Sequence, residues 1–236
     1  FTNSGTITST SGYLDLGYNS GGFTFANTSA GSVVVNGGNV VLQSPLTNQG
    51  TINVQSGTLL AGTYLTNGST GTIKGSGTIN GNLDLAGGTL APGNSIGTLT
   101  FQSSTFLVSA PASLVMEVSG ATADKITFTN PTATVDIGAG LLTLSLQLLS
   151  APTPGSTYTL LNISGGSYGF SGTFAGLPNS GDLITATFAS QPYTFSVNYL
   201  ANSITMDFQA VPEPSTYALL AAGLGVLGLA VRRRRR

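Results

Sequence analysis

The sequence predicts an all-β chain in three parts. A right-handed parallel β-helix (β-solenoid) is expected over residues 1–101. A less regular β-rich region over 102–210 continues or caps it, and one short C-terminal transmembrane helix lies within 211–236. Three observations lead there. A segment recurs about every twenty residues, strand-forming residues alternate with Ser, Thr and Asn, and an uncharged C-terminal run is closed by five arginines. The repeat carries no helical periodicity, which leaves one turn of a solenoid as the unit that fits a period near twenty.

The repeat is readable residue by residue. Phe1-Thr2-Asn3 leads to Gly5-Thr6-Ile7, Phe25-Ala26-Asn27 to Gly31-Ser32-Val33, Leu46-Thr47-Asn48 to Gly50-Thr51-Ile52, and Leu65-Thr66-Asn67 to Gly71-Thr72-Ile73. A second glycine follows each first one, pairing Gly5 with Gly12, Gly31 with Gly38, Gly50 with Gly57 and Gly71 with Gly77. Glycine suits corners because it tolerates conformations that a Cβ forbids. Alternation places Leu14 and Leu16, Val33 and Val35, Ile52 and Val54, and Leu83 and Leu85 in a stacked core. Asn3, Asn27, Asn48 and Asn67 precede the corner, so their amides are expected to stack as a ladder that serves the turn's backbone groups. A single repeat cannot bury its own apolar face, so neighbours must stack in register.

Leu90-Ala91-Pro92-Gly93-Asn94-Ser95-Ile96-Gly97-Thr98-Leu99 resembles the PGNS-type repeats of autotransporter passenger domains, which implies a surface β-helix. Beyond it, strands are expected at Thr105 to Val108, Ser113 to Val118, Lys125 to Thr129, Ala133 to Ile137, Leu141 to Leu149 and Thr157 to Ile163. Further strands are expected at Gly172 to Ala175, Leu183 to Phe188, Tyr193 to Tyr199 and Ser203 to Phe208. Turn signals such as Asn130-Pro131 and Pro152-Thr153-Pro154-Gly155 separate them. They fit either further solenoid or an antiparallel sandwich. The segments Asp124-Lys125-Ile126-Thr127-Phe128 and Thr157-Tyr158-Thr159-Leu160-Leu161 are similar to the region after such repeats in autotransporter-like proteins, which favours continuation. A cap is required in either case to cover the last strand edges.

The tail divides into a Pro212-Glu213-Pro214 joint, an apolar segment and a basic cluster. A helix from Ser215 to Val231 would hold 17 residues and measure about 25 Å, short against a hydrocarbon core of about 30 Å. Its expected span residues are Ser215, Tyr217, Ala218, Leu219, Leu220, Gly223, Leu224, Val226, Leu227, Leu229 and Val231. Arg232, Arg233, Arg234, Arg235 and Arg236 resist translocation and should stay cytoplasmic, leaving residues 1–210 on the other side of the inner membrane. This order of motif, short helix and arginines resembles the PEP-CTERM sorting signal of Gram-negative bacteria. The resemblance implies an exosortase as processing partner, removal of the tail, and delivery to the cell envelope, cell surface or exopolysaccharide matrix. A plain C-terminal membrane anchor is the simpler reading of the same residues. Export also requires a signal peptide ahead of Phe1, removed or belonging to a longer precursor.

Chemistry is sparse. Lys74 and Lys125 are the cations that precede the arginine cluster, against eight acids, which excludes a basic nucleic-acid surface. The chain has no cysteine and no histidine, so thiolate metal sites and histidine bases are absent, and no cofactor, metal site or catalytic residue is expected. Gly21-Gly22, Gly87-Gly88 and Gly165-Gly166 lack the aspartates of calcium-binding repeats. Asp15 and Asp84 sit in matching Leu-Asp-Leu contexts some three repeats apart, too far for a catalytic pair. Asp124 beside Lys125 reads as a turn or surface pair, and Glu117 as the polar half of an alternating strand. Tyr13, Tyr18, Phe23 and Phe25 plug the first coil or offer rings to sugars. A structural or adhesive surface protein is expected, with matrix polysaccharide as a partner for its Ser/Thr/Asn face. The alternative is a carbohydrate-active β-helix enzyme, a polysaccharide lyase or hydrolase.

Overall fold

A computed structural model describes residues 1–16, 24–42, 44–164 and 169–209. All the regular structure among them is β, and its 22 strands belong to one curled sheet built mainly from parallel pairs.

The parallel pairs fall into three ladders, and each sequence repeat gives one strand to each. The first ladder runs through Thr2–Asn3, Phe25–Asn27, Leu46–Asn48, residues 65–67 and 83–85, Thr105–Val108, Thr134–Ala139 and Phe170–Thr173. The second runs through Thr6–Ser9, residues 32–35 and 51–54, Thr72–Gly75, Thr89–Pro92, Ala112–Ser119 and Leu142–Leu148. The third joins Tyr13–Asp15, residues 39–42, 58–61 and 78–80, Thr98–Phe101, Lys125–Phe128 and Thr157–Ile163.

Register follows from the two-residue period. On the second ladder Val33, Val35, Ile52, Val54, Ile73 and Leu90 turn inward and are fully buried. One position before each inward residue, Thr6, Ser32, Thr51, Thr72, Thr89, Ser113 and Thr143 pair in sequence to form an outward hydroxyl row. The apolar residues read from the sequence as one core are distributed over all three ladders. Leu14 and Leu16 belong to the third, Val33 to Val54 to the second, and Leu83 and Leu85 to the first. Asp15 and Asp84 are thereby separated onto different ladders rather than set along one.

Gly5, Gly31, Gly50, Gly71 and Gly88 precede the second ladder, and each carbonyl accepts an N–H from the first turn-side residues of the next strand in line, Ser32, Thr51, Thr72, Thr89 and Ser113 in that order. Examples are Thr51 N–H to Gly31 O at 3.0 Å and Thr72 N–H to Gly50 O at 2.8 Å. At Gly50 the reason for glycine is close approach, since a Cβ there would lie 2.2 Å from both Gly31 O and Thr28 O. At the other side of the corner the asparagines form a continuous row. The Nδ2 of Asn3 donates to Asn27 Oδ1 at 2.8 Å, Asn27 to Asn48 at 2.7 Å, and Asn48 to Asn67 at 2.7 Å. Spare amide hydrogens reach corner carbonyls, including Gly31, Gly50 and Gly71. Each amide of this row is thus satisfied, which is the condition for a polar row inside a core. The column stops after Asn67, where Leu85 and then Val108 take the position.

Later repeats fill the interior with rings. Phe101 and Phe128 stack with centroids 5.6 Å apart, Phe106 meets both edge-on, and Phe170 closes the group at 6.2 Å from Phe128. Parallel pairing continues past residue 101 to Phe170–Thr173. The third ladder then ends on Ser203–Gln209, which pairs antiparallel with Thr157–Ile163. Gln191–Tyr199 and Asp182–Phe188 extend this as an antiparallel meander. Over 102–209 parallel pairs therefore come first and antiparallel pairs follow.

Candidate functional site

The concave feature with the most convergent chemistry lies on the outward face of the second ladder. Strand alternation turns Lys74, Ala91 and Val115 outward there, with Lys74 paired to Ala91. Two residues further along, Glu117 pairs with Gln147. Pro92-Gly93-Asn94-Ser95, the segment resembling passenger repeats, forms the opposite wall of a cleft of about 360 Å³. Gly93 has φ of +85°, and a Cβ there would lie 1.9 Å from Ser95 O and 2.6 Å from Asp124 Oδ1, so the wall needs glycine. Its N–H and C=O bond to Gly75 at 2.8 and 3.1 Å, fastening the loop to the neighbouring repeat.

Asp124 holds the two walls together. After Ala112–Ser119 the chain reverses through a short hairpin in which Val118 pairs with Ala123. This brings Asp124 back against Glu117, and Asp124 is fully buried. Its Oδ1 accepts the Gly97 N–H and its Oδ2 the Glu117 N–H, both at 2.8 Å. The sequence suggested a surface pair with Lys125. The structure corrects this, because two backbone donors converge on the carboxylate and the hairpin closes over it. Burial is the largest influence on its acidity and pushes the pKa from 3.8 up to about 6, despite the two N–H donors that favour the charged form.

The sign of the resulting pH effect is fixed. A folded-state pKa above the unfolded value means that the native protein binds this proton more tightly. The contribution is fully favourable below about pH 4, is lost as pH rises toward 6, and is flat above that. Replacing Asp124 with Asn should therefore remove this slope from the stability profile between pH 4 and 6. Thermal melts of both proteins across that range measure it, and parallel profiles would refute the assignment.

Glu117 supplies the unusual group. Its Oε2 is buried and has no hydrogen-bond partner, an arrangement that ordinarily costs about 1–3 kcal/mol. Lys74 and Gln147 offer donors on the same cleft, and Asn94 and Ser95 offer mixed groups. Both oxygens of Asp124 are committed to backbone N–H groups, so the cleft presents one available carboxylate rather than a catalytic pair. Asp84 accepts a hydrogen bond from Ser109 at 2.5 Å elsewhere on the surface. Among the first aromatics, Phe25 is buried under Phe1, with ring centroids 5.1 Å apart, and Tyr13 is 75 % exposed. Tyr18 and Phe23 lie outside the described residues. No group of three or more acidic, histidine or cysteine side chains that could hold a metal occurs among the described residues.

The predicted sorting motif Pro212, Glu213 and Pro214, the span from Ser215 to Val231, and Arg232 to Arg236 all lie outside the described residues. Among the described residues no helix is long and apolar enough to cross a membrane. Residues 210–235 match the PEP-CTERM protein-sorting motif. The PEP-CTERM motif points to an exported protein that an exosortase sorts, with a cell-envelope or surface destination. The match covers the tail and does not extend to the repeats. No curated protein matches the chain.

Proposed function

We propose that this chain is a structural or adhesive protein of the cell surface or extracellular matrix, delivered by exosortase processing of its PEP-CTERM tail. In this reading the enzyme recognises Pro212-Glu213-Pro214 while the segment from Ser215 to Val231 crosses the inner membrane. The five arginines hold the orientation from the cytoplasmic side. The observation that carries the proposal is the match over residues 210–235.

The body is read as a right-handed parallel β-helix whose repeats each supply one strand to the three ladders, capped at residues 182–209 by the antiparallel meander. Its hydroxyl row and scarcity of charge suit contact with uncharged, hydrated polymers. A role without catalysis is supported on the hydrolase side, where the usual mechanism uses two available carboxyl groups flanking the scissile bond, and Asp124 is occupied by the backbone.

Mass spectrometry of surface material tests the sorting step. The chain should end near Pro212 to Ser215, and replacing Pro212, Glu213 and Pro214 with alanine should leave uncut protein in the inner membrane. Full-length wild-type protein retained there would instead establish a plain anchor.

A further inference from the structure

We propose that the cleft bounded by Lys74, Glu117 and Gln147 binds a short stretch of neutral glycan. Its volume of about 360 Å³ lies at the small end of ligand pockets, which run from about 300 to 1,000 Å³. Along the ladder, from the rung of Lys74 to that of Gln147, it spans three strand spacings, about 14 Å. The floor is apolar, made by Ala91 and Val115, and the rim is polar. That combination matches a pyranose, whose C–H face is apolar and whose equatorial hydroxyls each donate and accept.

The polar groups fit the same ligand. A ligand hydroxyl in the cleft can donate to the Glu117 carboxylate, which lines it and whose buried Oε2 has no hydrogen-bond partner in the protein. The same or a neighbouring hydroxyl can accept from Lys74 Nζ or the Gln147 amide. Donor and acceptor on one rim suit hydroxyls better than a carboxylate or an ammonium group. The chain ahead of the arginines is also acidic, with two lysines against eight acids, so polyuronates are repelled at long range. Asp124 is a positioning residue here, since it fixes the Glu117 backbone and the loop leading to Gly97.

The inference rests on the export reading only for where such a glycan is met; binding itself is a property of the purified chain. Full-length protein in a sugar-free detergent is titrated calorimetrically with neutral tetrasaccharides of glucan, mannan, galactan and chitin type, and with tetragalacturonate. At least one neutral ligand should bind with one-to-one stoichiometry and, in protein with Arg232 to Arg236 replaced by Gln, more tightly than the uronate. Lys74→Met and Glu117→Ala should each weaken it tenfold or more, while Thr185→Ala on the cap leaves it unchanged. If Glu117→Ala loses the β signature by circular dichroism, Glu117→Gln takes its place. Absence of binding across the neutral panel, preference for the uronate in the arginine-substituted protein, or binding indifferent to both cleft variants would overturn the proposal. A failed titration leaves the sorting step standing, and an uncut tail leaves the cleft standing.

Discussion

Asn48→Asp should destabilise the protein by about 3–5 kcal/mol at pH 7, the range seen when a buried charge is left uncompensated. Asn48 is fully buried and its side chain makes four bonds of defined polarity. It accepts from Asn27 Nδ2 at 2.7 Å, and its own Nδ2 donates to Asn67 Oδ1 at 2.7 Å, Gly50 O at 3.1 Å and Thr72 O at 3.4 Å. A carboxylate of the same shape keeps the first bond and turns an acceptor toward three acceptors. Burial and these repulsions raise its folded-state pKa above the unfolded value near 3.9. The penalty is therefore small below about pH 4 and grows as pH rises through the folded pKa. Urea unfolding at pH 3.5 and pH 7 should show the variant approaching wild type only at the lower pH. An equal loss at both values would mean that charge is not the cause.

Phe128→Ala should cost about 3–5 kcal/mol, the range for truncating a large buried ring. Phe128 is fully buried, and its ring contacts come from two ladders: Phe101 on the third, and Phe106 and Phe170 on the first. Removing it opens the interior where the ladders face one another, and no neighbouring side chain can refill the space without breaking a register pair. Phe1→Ala is the matched comparison, since that ring is 66 % exposed, and it should cost less than about 1 kcal/mol. Chemical denaturation of both variants decides the matter, and comparable losses would place the weight of the core elsewhere.

Strands proved more legible than their placement. Thr157–Ile163 and Leu142–Leu148 follow the predicted segments closely, because alternation and turn residues are local signals. The asparagine row was also legible, since four asparagines recur two or four residues ahead of a glycine and the register pairs them one with the next. The ladder to which a strand belongs was hidden. Leu14, Val33 and Leu83 share one apolar-polar rhythm, and that rhythm is identical on all three ladders. Asp124 was misplaced for a related reason. Its neighbour Lys125 suggested an exposed pair, whereas its partners are backbone N–H groups at Gly97 and Glu117, which leave no mark on side-chain identity. The cleft depends on the pairing of Lys74 with Ala91 and of Glu117 with Gln147, a relation across repeats that no local window contains. The tail was legible as a sorting motif, because its order of proline, apolar run and arginine is itself the signal.

The chain enters its C-terminal tail directly after Ser203–Gln209, a strand hydrogen-bonded on both sides, to Thr157–Ile163 and to Gln191–Tyr199. Tension transmitted through an attached tail would thus act along a doubly held strand, loading two rows of bonds in shear together instead of peeling a free edge one bond at a time. A molecule tethered at that end in flowing water would pass its drag through both rows of bonds at once.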